Sequence, residues 1–162
     1  MKTLANKVAV ITGSTRGLGL AIAQAYAAEG AAVVITGRAQ STVDAVVAKL
    51  AASGATVAGL ACDVGDLEQV AALGAFAAER FGHIDVWVNN AGLSAPYGPT
   101  AEVATEAFQR VVDTNIVGTY NGSMVALRHM LPNRRGKVIN LPGRSAKKGV
   151  KYQNAYSASK AW

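Results

Sequence analysis

Short apolar runs alternate with longer amphipathic stretches along the whole chain. Residues 7–12, 32–36, 56–60, 84–88 and 137–141 are rich in Val, Ile, Leu and Ala, and four of the five are followed directly by Gly, Asn or Pro. Runs this short and this apolar suit strands buried on both faces. Between them, helical patterning predicts helices over about residues 17–29, 41–53 and 67–81, a long and broken helix over 100–131, and a last helix starting near Asn154. Pro96, Gly98 and Pro99 mark a loop, and Pro132 and Gly136 bracket a turn. Repeated strand–helix–strand units with apolar strands imply an α/β fold, a doubly wound parallel sheet with helices on both faces. The expected strand order is 3-2-1-4-5, within one domain over residues 1–162. The fifth strand would then be an edge, although Val138-Ile139-Asn140-Leu141 reads as an interior strand. An apolar unpaired edge is a liability, so a homo-oligomer or a partner covering strand 5 is expected.

Composition narrows the function classes. A single cysteine, Cys62, excludes an internal disulfide and reads as a small buried residue. His83 and His129 stand apart, with no Cys or carboxylate cluster at ligand spacing, so no metal is expected. The net charge of +6 could suggest nucleic acid. Its excess lies late, at Arg134, Arg135, Lys137, Arg144, Lys147, Lys148 and Lys151, and only Tyr152 interleaves as a stacking platform. A solvated surface, or attraction of anionic substrates, fits better than nucleic acid. The apolar run from Val8 to Ile11 is too short to span a membrane, and no secretory h-region precedes it. No membrane partner and a cytoplasmic location are expected.

Two constellations carry chemistry. The first is Thr12-Gly13-Ser14-Thr15-Arg16-Gly17-Leu18-Gly19, placed where the first strand turns into a helix. Glycines allow a tight turn and let backbone approach a pyrophosphate, while the helix N-terminus offers amide donors; this is a Rossmann-like dinucleotide site. The second is Tyr156 and Lys160, four apart on one helical face. A phenol beside an ammonium is an acid/base pair, because the cation favours the phenolate.

The spacing T-G-x-x-x-G-x-G, together with Asn89-Asn90-Ala91-Gly92, Asn115 and Tyr156-Ser157-Ala158-Ser159-Lys160, resembles the short-chain dehydrogenase/reductase family, whose members are NAD(P)-dependent oxidoreductases acting mostly on alcohols and ketones. The four signatures fall in the expected order along the chain. The resemblance implies that Gly13, Gly17 and Gly19 hold the cofactor phosphates, with Ser14, Thr15, Arg16 and Leu18 in the same turn. It implies that Asp63, beside Val64, binds the adenine amino group. An alternative for Asp63 is a helix N-cap before Leu67. Asn89, Asn90, Ala91 and Gly92 would close the adenosine side of the pocket. Tyr156 would exchange the proton with the substrate oxygen, and Lys160 would hold the nicotinamide ribose. Asn115 would kink the long helix and hold a water linking Lys160 to solvent. The second strand leads into Thr36-Gly37-Arg38 with no carboxylate. Arginine accommodates a 2′-phosphate, so Arg38 and Arg16 point to NADP(H) over NAD(H).

Two features depart from the family pattern. The serine that polarises the substrate carbonyl normally stands thirteen residues before the tyrosine, and Gly143 occupies that position here. The nearest hydroxyl is Ser145, which in extended chain would lie about 6–7 Å further along the same face. A bulge could bring Ser145 closer, or the Gly143 backbone N–H could serve as a weaker donor. The second departure is length. The family's fold continues past Tyr156 with the rest of the helix and further strands, and Trp162 would lie in the first two turns of that helix. The sequence thus reads as the N-terminal part of a dehydrogenase, with little or no activity expected of it alone. Two readings stand: an NADP(H)-dependent oxidoreductase acting on a small alcohol or carbonyl substrate, and a non-catalytic dinucleotide-binding module.

Overall fold

The computed structural model describes residues 2–143, 145 and 147–161. The expectations for Arg144 and Trp162 lie outside the described residues. Five strands form one parallel sheet: β1 Val8–Ile11, β2 Ala32–Gly37, β3 Val57–Ala61, β4 Val86–Asn89 and β5 Lys137–Asn140. Their order is β3-β2-β1-β4-β5, the doubly wound arrangement read from the sequence.

Strand periodicity accounts for the layering. Successive residues face opposite sides of a sheet, and both sides here are covered. Val10, Val34 and Trp87 enter one core, against α3 (Leu67–Phe81) and α5 (Gly118–Met130). Ala9, Ile11, Val33, Ile35, Val86 and Val88 enter the other, against α1 (Gly17–Ala28) and α2 (Gln40–Ala52). Close approach of α5 to β4 depends on Gly122, where a Cβ would meet the Asn89 Oδ1 and stand 2.8 Å from Trp87 Nε1.

The long helix starts later than its pattern suggested. A single 3₁₀ turn, Thr100–Glu102, precedes α4 (Thr105–Val112). A wide π-type turn, Asp113–Val117, then joins α4 to α5. The last helix, α6, spans Asn154–Ala161. Strand β5 is an edge as expected, with Val138 and Ile139 half-buried.

Strand β4 begins two residues after its predicted start, because Ile84 is followed by a buried carboxylate. Asp85 Oδ2 accepts the Val8 amide at 3.0 Å and faces His83 Nε2 at 2.8 Å. Lys7 Nζ and Arg135 Nε lie 3.5 and 3.7 Å from its other oxygen. Burial works to raise the Asp85 pKa, but the Val8 amide, His83, Lys7 and Arg135 together outweigh it and hold the group below the usual carboxylate value. Asp85 thus pins the amino ends of β1, β4 and the turn before β5. Asp85→Ala should lose about 2 kcal/mol at neutral pH, chiefly by stranding a buried N–H. A lowered folded pKa contributes stability above the unfolded value, near pH 4, that is lost as pH falls through the folded value. Urea unfolding midpoints at neutral pH and across the acid limb should show a lower but flatter profile for the variant. Parallel profiles would show that the cluster has no linked role.

Candidate active site

Strand order places a crevice between β1 and β4. The chain leaves β1 through α1 toward β2, and α3 later carries it back across to β4, so the connections that follow β1 and β4 run to opposite faces of the sheet. The glycine turn follows β1 at this point. Gly13 has φ +62°, and a Cβ on it would stand 2.9 Å from Ala91 Cα. A Cβ on Gly19 would collide with Asn90 Nδ2 and the Gly13 carbonyl. The turn is fastened across the crevice by two side chains. Thr12 Oγ1 accepts the amides of Asn90 and Ala91 at 3.0 and 2.9 Å and donates to the Val88 carbonyl at 3.3 Å. Asn90 Nδ2 donates back to the Thr12 and Gly13 carbonyls at 2.8 and 3.1 Å. Among the described residues, no side chain caps the N-terminus of α1. Its first-turn amides are therefore available to an anion.

A cavity of about 480 Å³ opens beside this turn. Gly13, Thr15, Arg16, Gly17, Leu18 and Gly19 form one wall. Gly37, Arg38 and Thr42 line it beyond β2; Cys62, Asp63 and Val64 beyond β3; and Asn90, Ala91 and Gly92 beyond β4. A second cavity, about 390 Å³, shares Leu18, Asn90, Gly92 and Leu93 with the first and continues to Gly143, Tyr156 and Lys160. Together they make one groove along the carboxyl edge of the sheet.

Two residues expected to touch a cofactor line neither cavity. Ser14 is fully buried, and its hydroxyl donates to the Ile11 carbonyl at 2.7 Å and accepts the Thr36 amide at 3.0 Å. It locks the turn to β2. Asn89 faces inward: its Oδ1 accepts Trp87 Nε1, and its Nδ2 donates to Asn140 Oδ1 at 2.8 Å and Ser123 Oγ at 3.0 Å. It joins β4 to β5 and α5. Both sit on the inner side of the chain as it leaves its strand, so they support the groove from beneath.

The N-cap alternative for Asp63 is corrected. Asp66 caps α3, accepting the amides of Glu68 and Gln69 at 2.9 and 3.2 Å. Asp63 instead accepts the Gly65 amide at 3.0 Å and keeps a place on the cavity wall. Neighbouring Cys62 is buried as expected; burial first, and then the Asp63 and Asp66 carboxylates, push its thiol up to about 12. It stays protonated at neutral pH.

Asn115 lies in the wide turn rather than at a simple kink. Its Oδ1 accepts the Leu93 amide at 2.7 Å, and its Nδ2 donates to the Leu93 carbonyl at 2.9 Å and Ser159 Oγ at 2.8 Å. The amide thereby ties the segment after β4 to α6, the helix that carries Tyr156 and Lys160. Lys160 Nζ donates to the Leu141 carbonyl at 3.3 Å and lies 5.9 Å from the Tyr156 ring centroid. Burial lowers the Lys160 pKa. A Cβ on Gly92 would stand 3.5 Å from Lys160 Nζ and 3.6 Å from Asn115 Oδ1, so both polar atoms border that glycine.

Gly143 faces the reacting pair. A Cβ built on it would stand 3.4 Å from Tyr156 Oη, 3.3 Å from Ser145 Oγ and 3.1 Å from Lys160 Cγ. Ser145 lies close against Gly143 instead of a strand's spacing further along. Sequence reasoning assigned no role to Thr12, Leu93 or Ser159. Thr12 and Ser159 stood inside the motifs, but Leu93 contributes only backbone, which no side-chain pattern reveals.

A family model described as short chain dehydrogenase matches residues 7–162. The chain belongs to that family. Within it, "Granaticin polyketide synthase putative ketoacyl reductase 1" from Streptomyces violaceoruber is 40% identical over 160 residues, which are 98% of this chain and 58% of that protein. A crystal structure of a variant actinorhodin polyketide ketoreductase with NADPH superposes with a TM-score of 0.93 at 36% identity, covering 99% of this chain and 62% of that one. A gluconate 5-dehydrogenase from Burkholderia cenocepacia J2315, in complex with NADP and tartrate, gives a TM-score of 0.92 at 30% identity, covering 98% and 62%. The chain thus spans about three fifths of the length of the short chain dehydrogenases it matches. Among the described residues, no helix is long and apolar enough to cross a membrane.

Proposed function

We propose that this chain holds the cofactor-binding and proton-transfer machinery of an NADP(H)-dependent reductase or dehydrogenase acting on an alcohol–carbonyl couple. The observation that carries this reading is the shared groove: Tyr156 and Lys160 line one end, and the glycine turn lines the other. Such a groove fits a dinucleotide, because Gly13 and Gly19 hold space that a Cβ would fill and the α1 amides are uncapped. Gly13, Gly17 and Gly19 would cradle the pyrophosphate, and Asp63 would meet the adenine amino group. When bound, the nicotinamide supplies or accepts the hydride. Tyr156 Oη would give the substrate oxygen its proton, or take it in the reverse direction. Lys160 would hold the ribose beside it, and Asn115 would position α6. The names of the two ketoacyl-type reductases and the gluconate dehydrogenase share the alcohol–carbonyl couple, which is as far as we take the substrate. The half-buried β5 edge supports a covering segment or a second copy.

NADP(H) is favoured over NAD(H) by the end of β2. An acidic residue there would receive a ribose 2′-hydroxyl, and arginine a 2′-phosphate. Position 37 has no room for a carboxylate side chain, since even a Cβ would stand 2.8 Å from Thr15 Cγ2. Arg38 and Arg16 line the same cavity. Arg38→Ala should weaken NADPH binding by about 10- to 100-fold, the worth of one or two charge-assisted hydrogen bonds, and leave NADH nearly unchanged. Equal affinities for both cofactors, indifferent to that substitution, would contradict the assignment.

The bare Gly143 supports a second reading, a dinucleotide-binding module without turnover. Titration with NADPH by fluorescence, followed by a carbonyl screen, separates the two. Binding with no oxidation of NADPH favours the module; failure to bind sinks both.

A further inference from the structure

Asn121 is buried inside α5, although asparagine is a poor helix former. A buried amide asks for a partner. Its Nδ2 donates to the Val64 carbonyl at 3.0 Å, and among the described residues no other donor reaches that carbonyl. Gly118, three residues earlier on the same helical face, meets the same residue, because a Cβ on it would stand 2.5 Å from Val64 Cγ2. Helix α5 thus grips Val64 by a bond and by close contact. The grip reaches the first cavity through one peptide unit. The Val64 carbonyl and the Gly65 N–H lie in the same plane, and that N–H donates to Asp63 Oδ1 at 3.0 Å. The Asp63 backbone is held separately, by Gln69 Oε1 at 2.9 Å and the Asp66 amide at 3.1 Å. The bond from Gly65 is left to set the direction of the carboxylate. Asp63 and Val64 line the cavity, and Asn121 stands behind them.

We propose that Asn121 is a positioning residue that aims the Asp63 carboxylate, through the Val64–Gly65 peptide, at the amino group of an adenine in the first cavity. The inference rests on the dinucleotide reading above. A carboxylate oxygen selects a ligand N–H donor over a ligand acceptor only while its direction is fixed, since hydrogen bonds weaken steeply off line. Without the donor at position 121, the peptide plane is free to turn its carbonyl toward water, and the Asp63 carboxylate turns with it.

The test measures binding of NADPH and deamino-NADPH to the full chain by fluorescence titration, with the melting temperature alongside. Deamino-NADPH carries a carbonyl oxygen where adenine has its amino group. The parent should prefer NADPH by about tenfold, the worth of one hydrogen bond to a charged group. Asn121→Leu fills nearly the same volume without a donor, and it should cut that preference to about twofold or less, as should Asn121→Ala. Asp63→Ala should abolish the preference, and adding Asn121→Leu to Asp63→Ala should change it no further. An unchanged preference in both Asn121 variants overturns the inference alone. So does an equal loss of both cofactors, or a collapse of the melting temperature in both variants, because each shows a role in the scaffold only. A parent with no preference overturns the adenine role of Asp63, and a parent that binds neither cofactor overturns the dinucleotide reading. The inference falls with either.

Discussion

Measured against the parent chain's own NADPH-dependent turnover, however small, Tyr156→Phe is expected to be slower by about 10²- to 10⁴-fold, the usual worth of a positioned acid/base group, with NADPH affinity within about twofold of the parent's. The substitution removes one oxygen and keeps the ring. That ring packs under Lys160, whose Nζ lies 5.9 Å from its centroid, so α6 should hold its place. The hydroxyl faces the gap at Gly143, not a structural partner. Steady-state rates on a small ketone, with a fluorescence titration of NADPH, check this. A phenylalanine variant as fast as its parent would remove Tyr156 from the chemistry.

The second large effect concerns the glycine turn, where two positions should respond very differently to one added methyl. A Cβ on Gly19 would overlap the Asn90 amide nitrogen and the Gly13 carbonyl, the two groups that fasten the turn across the crevice. Gly19→Ala must displace the Asn90 amide and shift α1 against the glycine turn, and NADPH binding should fall by at least about 100-fold, as positioning losses of an ångström can produce. Gly17 has φ +56° but nothing within 4 Å of an added Cβ. Gly17→Ala meets backbone strain alone, about 1–2 kcal/mol, and a cofactor loss of no more than about 30-fold follows. Equal losses at both positions would refute the steric account and leave only flexibility to explain the glycines.

Much of the framework was legible because it depends on local pattern. The two-residue period of Ala9, Val10 and Ile11 already divides the chain between two cores, and the strand–helix alternation gives the order of the sheet. The glycine turn and the Tyr156–Lys160 pair were legible because their chemistry needs fixed spacing. Assemblies from distant segments were not. Asp85 gathers Val8, His83, Lys7 and Arg135 from three stretches of chain. Asn115 looked out of place in a helix, yet its partners, the Leu93 backbone and Ser159, could not be read from that oddity. Ser14 and Asn89 show a further limit: lying within a motif does not tell which side of the backbone a side chain takes. Ser145 was judged by extended-chain distances, but it lies close against Gly143.

Four bolts of the groove are neutral. Thr12, Asn90, Asn115 and Ser159 hold the glycine turn, the segment after β4 and α6 through amides and hydroxyls. None of these groups gains or loses a proton in the working range of an enzyme. The floor beneath the reacting pair therefore keeps its shape as acidity changes, while the carboxylate pin at Asp85 sits at the opposite, amino-terminal edge of the sheet. A titration curve of the rate thus reports on the groups that face the substrate and cofactor, with Lys160 entering below the ordinary lysine range because of its burial, and not on a loosening of the scaffold.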